Sequence, residues 1–310
     1  MVALRSRIKF PLQAGFTLVE MSIVLVIIGL IIGGVLVGRD LINAATIRSQ
    51  ISQIEKYNAA VNTFRGKYGY LPGDIPNAQA FGFSASGSYA GSGDGDGVIE
   101  SPQCASGAYT PQPVFQDTGE APTVWVDLSQ AGLISGGFNT ASRTSQLNSD
   151  LIGSAIGTFF PQAAIGQGNY VYVWSQGAAT AASPTGDGQT LLNYFGVSKV
   201  SKVLDCSNGG YIYWDLTNGS NEGMTVAQAY AIDSKMDDGN PITGRVTASG
   251  LMYGNYPGWA AVRFFLFTQP VNPSATTCFD DSNTVGSPWK YSMQVNNGAG
   301  LNCALSFQFQ

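Results

Sequence analysis

The sequence predicts an α+β protein in which a long N-terminal helix, membrane-spanning over its first half, packs along its second half on an antiparallel β-sheet head. Three observations carry this. Phe16 to Gly38 runs for about 23 residues with a single ionisable side chain, Glu20. Beyond it Ile47, Ile51, Ile54, Val61 and Phe64, with Tyr57 beside them, keep the 3, 4 and 7 spacings of an amphipathic helix. The rest of the chain breaks into short segments rich in aromatic and β-branched residues, separated by Gly, Asp and Asn clusters.

Composition narrows the function before any motif does. The 310 residues are 44 % hydrophobic and 11 % charged, too apolar for a disordered chain and enough for a sizeable core. Lys and Arg number 15 against 20 Asp and Glu, so the basic excess used against phosphate is missing and no general nucleic-acid binding is expected. The chain has no histidine. Ser-His-Asp and Cys-His catalysis, HExxH zinc chemistry and His-ligated metals are thereby excluded.

The apolar run comes first in chain order. At about 1.5 Å per residue it reaches roughly 35 Å as a helix, enough to cross a hydrocarbon core of about 30 Å. A secretory signal has a shorter apolar stretch, about 7–15 residues, ending in a small-x-small site. A buried helix of a soluble core is usually shorter too and has no basic segment just upstream. Arg5, Arg7 and Lys9 precede the span and only Arg39, beside Asp40, follows closely, so the positive-inside bias holds the N-terminus in the cytoplasm. Everything after about residue 40 is then exported. The exported cysteines, Cys104, Cys206, Cys278 and Cys303, are even in number, as disulfides require. Of three possible pairings, Cys278–Cys303 with Cys104–Cys206 is favoured because the first closes a short C-terminal loop.

Residues 14–20 read Ala-Gly-Phe-Thr-Leu-Val-Glu, joining the basic leader to the span. This resembles the processing signature of type IV prepilins and of the pseudopilins of type II secretion. The resemblance is strong over residues 10–65 and weak beyond. It implies a pilin-like fold, cleavage after Gly15 by prepilin peptidase, N-methylation of Phe16, and an assembly role for Glu20. The implied partners are copies of itself and other pilins in a filament, an inner-membrane assembly platform, and membrane lipid before assembly. The expected plan is a removed leader (1–15), a transmembrane and filament-core helix (16–38), its amphipathic continuation (39–66) and an exported head (67–310) with two disulfides.

Glu20 can be argued from physics alone. A carboxylate within a bilayer span costs about 2.5–3.5 kcal/mol on insertion scales unless something pairs with it or it snorkels to the interface. The amino group that cleavage creates on a neighbouring subunit's Phe16 is the expected partner. Gly29/Gly33 and Gly34/Gly38 are small-xxx-small pairs that permit close helix approach. Many members of the resembled family have a proline along this helix. Here none falls between Pro11 and Pro72, so the helix is expected to be continuous over about 16–65.

In the head, 122–134 reads as a helix with Pro122 at its start and Ser135-Gly136-Gly137 past its end, and Val226–Met236 as another. Strands are expected at Tyr170–Trp174, Leu191–Val197, Tyr211–Trp214 and Val262–Phe267. One stretch suggests site chemistry. Ser92-Gly93-Asp94-Gly95-Asp96-Gly97-Val98-Ile99 matches an EF-hand-like loop at two ligand positions and the turn glycine, with Ser92, Asp94 and Asp96 as candidate Ca²⁺ ligands. Its ends depart from the pattern: Ser92 replaces the first Asp, and Gln103 at the twelfth position supplies no bidentate carboxylate. The alternative is a plain acidic turn. Some pseudopilins bind Ca²⁺ in their heads, which the resemblance adds. Asp237-Asp238 and Asp280-Asp281 read as turns, and no catalytic residue is expected.

The leading expectation is a structural subunit of a type IV pilus or pilus-like filament. The alternatives are a minor pseudopilin of a type II secretion system and, in a different class, a single-span anchored enzyme or receptor.

Overall fold

The computed structural model describes residues 17–84, 93–99, 101–102, 111–112, 119–142, 147, 149–175, 192–203, 220–249, 260, 271–284 and 287–309. Two compact units divide between Ala45 and Thr46. In the first unit the described residues are helical from Leu18 on. Helix α1 runs from Leu18 to Tyr68 and includes all of its described residues except Thr17. Its apolar side chains from Leu18 to Val37 are exposed, and a window within it has a mean hydropathy of 2.8, the composition of a membrane span.

The second unit, Thr46–Gln310, holds the core. Here α1 buries Ile47, Ile54, Val61 and Phe64, the stripe expected from the spacing, with Ile51 and Tyr57 packed at its margin. Gln50 and Gln53 extend the contact by imitating main chain. Gln50 Oε1 accepts from Ile165 N at 2.9 Å, Gln53 Oε1 from Ala164 N at 2.7 Å, and Gln53 Nε2 donates to Gln162 O at 2.7 Å. The helix passes the expected stop and ends three residues later. Gly69, at φ 81, takes the left-handed cap, and the last turn is held by Tyr68 against Phe64, Phe81 and Phe83.

An antiparallel sheet faces this stripe. Its strands are β1 (Asn169–Ser175), β2 (Asn193–Val200), β3 (Ser220–Asn221), β4 (Met224–Thr225), β5 (Val246–Ser249) and β6 (Leu301–Gln308). β2 lies between β1 and β6; β6 also pairs with β4 and β5, and β3 pairs with β2. Val173 opposes Phe195, and Phe195 opposes Phe307. Phe195 meets Tyr57 of α1 and Trp125, so this face is the one covered by helix. The other face carries Trp174 stacked on Tyr194, and Tyr172 across from Gly196. A Cβ at Gly196 would lie 2.2 Å from the Tyr172 ring, so only glycine admits that ring. Both faces being buried explains why β1 reads as a nearly unbroken apolar run.

Two further α-helices belong to the described part of the head, along with short 3-10 turns and three two-residue strand pairs. Helix α2 (Glu120–Gln130) starts two residues before Pro122 and ends four before the expected limit. Proline is tolerated in the first turn, where N–H groups lack partners, and Gly132 at φ 70 closes a Schellman motif through Leu133 N to Leu128 O. Helix α3 (Val226–Met236) has the expected bounds. Thr225 and Gln228 form a capping box that fixes its start.

The expected strand at 191–197 is found two residues later, whereas Tyr211–Trp214 and Val262–Phe267 fall outside the described residues. Four strands of the sheet were not anticipated, the two-residue β3 and β4 and the longer β5 and β6. In β6, Cys303, Leu305 and Phe307 share the helix-covered face with Phe195, and Cys303 is bonded to Cys278 across a sequence separation of 25, the expected pairing. Cys104 and Cys206 lie outside the described residues. A loop of this length is worth roughly 3 kcal/mol in the chain-entropy model. Reducing the fragment Thr46–Gln310 is therefore expected to lower its melting temperature by on the order of 5 °C or more, read by circular dichroism with and without reductant. An unchanged melt would show that the Cys278–Cys303 bond is dispensable.

Candidate functional site

Gly15 and Phe16 lie outside the described residues, and the first functional geometry begins at Thr17. Thr17 is the N-cap of α1 and Glu20 stands three positions on. Glu20 Oε2 accepts from Thr17 N at 2.7 Å and from Thr17 Oγ1 at 2.8 Å, while Glu20 N donates back to Thr17 Oγ1 at 3.2 Å. This is a capping box in the first turn of a membrane-type helix, with a carboxylate at the positive end of the helix dipole. The sequence argument gave Glu20 only a partner on a neighbouring subunit; the structure gives it one within its own chain. The Thr-x-x-Glu spacing was legible at residues 17–20 and is the signal that identifies Thr17. Oε1 accepts no hydrogen bond among the described residues, so one oxygen holds the helix start and the other stays open.

In the head, the candidate cation loop is built differently from an EF-hand. Residues 93–99 form no helix. Ser92 and Gln103 are outside the described residues. Asp94 Oδ1 accepts from Asp96 N at 3.2 Å and Asp96 Oδ1 from Val98 N at 2.7 Å, the Asx turns of a Gly-Asp repeat. A residue about 20 positions upstream completes the group. Asp74, 1 % exposed just past the end of α1, accepts from Gly95 N at 2.5 Å and Gly97 N at 2.8 Å. Buried Glu120 accepts from Gly93 N at 2.5 Å.

Asp74, Asp94 and Asp96 each bring a carboxylate oxygen within 4.8 Å of the others. Burial, reinforced by the charges of Asp96 and Asp94 and opposed by the two backbone donors, pushes the Asp74 carboxyl up to about 6. Burial raises Asp96 as well. Sequence reasoning missed Asp74 and Glu120 because a contact between distant loops leaves no local spacing to read.

A second acidic group sits at the end of α3. Buried Asp233 accepts from Tyr291 Oη at 2.8 Å and Gly239 N at 3.2 Å, and burial pushes its carboxyl up to about 6. Asp237 accepts from the backbone N–H groups of Arg245 and Val246, and Asp238 from Asn240 N and Thr243 Oγ1. These bonds stitch the turn after α3, the role expected of Asp237 and Asp238. Asp280 and Asp281 do the same around residues 271–294.

The comparison with known families bears on the N-terminus. Residues 11–36 match the model of the prokaryotic N-terminal methylation motif, which is the type IV prepilin signature. The match covers the junction, the Thr17–Glu20 capping box and most of the span. No curated protein and no solved structure matches the chain. Together with the α+β fold, the signature supports a type IV pilin or pseudopilin reading, and α1 is long and apolar enough to cross a membrane.

Proposed function

We propose that the chain is a structural subunit of a type IV pilus or pilus-like filament. In this reading prepilin peptidase cuts after Gly15 and methylates Phe16, and α1 holds the subunit in the inner membrane as a single-pass precursor. An assembly platform then extracts it to join copies of itself and other pilins, heads outward. The observation that carries the reading is the methylation motif at 11–36 running into an uninterrupted helix whose apolar half is entirely exposed. A filament core covers such a surface once lipid no longer does. A minor pseudopilin of a secretion system has the same N-terminus and remains the alternative. The deciding experiment is mass spectrometry of the membrane-extracted protein, with a mature methylated Phe16 expected. An intact Met1 would make the chain a permanently anchored exported protein instead.

The role of the Asp74, Asp94 and Asp96 loop is part of this proposal: the three carboxylates hold Ca²⁺ in the exported head. Asp74, drawn in from outside the sequence motif, favours the reading. Asp74 and Asp233 both have folded pKa values near 6, above the unfolded carboxylate value, so the folded state binds extra protons between about pH 4 and 6. Their stabilising effect is full below that window and is lost as pH rises through about 6. The fragment Thr46–Gln310 is therefore expected to melt several degrees higher at pH 5 than at pH 7.5. Millimolar Ca²⁺ at pH 7.5 is expected to recover part of the difference, and Asp94→Ala with Asp96→Ala to abolish the recovery. An equal calcium effect in both proteins would make the loop an acidic turn.

A further inference from the structure

Within the second unit, the side of α1 turned away from the core forms the floor of a groove of about 720 Å³. Ser52, Lys56, Ala59 and Thr63 line that floor, and Leu133 and Ile134, past the end of α2, form one wall. The floor residues are small or polar, so another helix can approach closely. Lys56 is the only charged side chain in the lining, is exposed, and has no ion-pair partner among the described residues.

We infer that this groove receives the α1 helix of a second copy, over about residues 36–44, with the second copy's Asp40 against Lys56. The inference rests on the filament reading above. Charge complementarity selects the segment. Between Glu20 and Glu55 the only acid on α1 is Asp40, also exposed and without an ion-pair partner among the described residues. On its face of the helix, at spacings of four and three, stand Leu36 and Val37, 58 % and 61 % exposed.

Two parallel copies of α1 offset by the spacing from Asp40 to Lys56 are shifted axially by about 24 Å. The same offset sets Leu36 and Val37 level with Ser52 and Gln53, and Ala44 level with Ala60. Leu36 thus comes level with the small Ser52, and Ala44 with another alanine. At 3.6 residues per turn, positions 40 and 56 lie about 160° apart around the helix, on nearly opposite faces. The two halves of the contact therefore occupy different surfaces, so each copy can offer one to the copy above and the other to the copy below. Such a heterologous contact propagates instead of closing. Glu20, with its open oxygen, serves a neighbour at a different axial offset.

The test uses filaments of the full chain made by its own assembly system. Lys56→Glu is expected to cut the yield of sheared filaments about tenfold, and adding Asp40→Lys to restore it to within about twofold. Asp40→Cys combined with Lys56→Cys is expected to give a ladder of disulfide-linked multimers on oxidation, which neither single variant gives. Filaments at normal yield without a ladder overturn the groove contact and leave the filament reading standing, as does a low yield that Asp40→Lys fails to restore. Absence of filaments from the unsubstituted chain overturns the filament reading, and the groove contact with it.

Discussion

Glu20→Leu is expected to insert into the inner membrane at least as well as the natural chain and yet to fall by a hundredfold or so in sheared filaments. The two effects have different physical origins. Insertion improves because a carboxylate in a span costs about 2.5–3.5 kcal/mol. On the proposed filament reading, assembly fails because the oxygen left open by the Thr17 cap would no longer meet the neighbouring amino terminus, and a buried ammonium left without its partner costs several kcal/mol. Glu20→Gln separates the two roles of the side chain. It keeps an acceptor for Thr17, so the helix start is preserved, but carries no charge. Immunoblots of membrane and sheared fractions read both quantities. Wild-type incorporation of the Leu variant would return Glu20 to a residue that snorkels to the interface, and wild-type incorporation of the Gln variant alone would assign it to helix capping.

Gly15→Val should have an effect as large and earlier in the sequence of events. The peptidase must bring the backbone beside the scissile bond close to its catalytic groups, and a branched side chain there obstructs that approach. The expected product is a full-length precursor, still spanning the membrane because α1 is untouched, with Met1 found by mass spectrometry and no methylated Phe16. Helix α1 begins at Leu18, capped by Thr17, so the variant leaves the helix start and the head unaltered. Normal mature protein from this variant would remove the prepilin assignment.

The parts of this molecule legible in its sequence are those fixed by neighbours along the chain. The apolar run, the 3–4–7 stripe, and the capped helix at Val226–Met236 all depend on side chains within one or two turns of each other. The limits of α2 were missed although Gly132 was in plain view, because Gly136-Gly137 offered a stronger-looking stop. Strand β6 lacks such a local sign: Leu301–Gln308 mixes polar residues among the apolar ones, is buried on both faces from Cys303 to Phe307, and pairs with β2 and β5, far away in sequence. The cation loop was legible only in its local half, Asp94 and Asp96. Asp74 enters it through the tertiary fold, and Thr17 acts through Glu20 within the same helix turn, a contact that bilayer cost and a neighbouring subunit do not reveal.

The amide grip of Gln50 and Gln53 on residues 162–165 has a mechanical consequence. A pull on α1 is borne by all three hydrogen bonds, which two side chains one turn apart make to a single short segment. Sliding the helix by one turn, about 5.4 Å, would also carry Ile54 and Phe64 out of their seats. Because amides do not titrate, this latch holds equally in acid and neutral surroundings. Tension applied to α1 is thereby passed to the segment that leads into β1 without slippage, and in the proposed filament the head would stay in place while the polymer stretches.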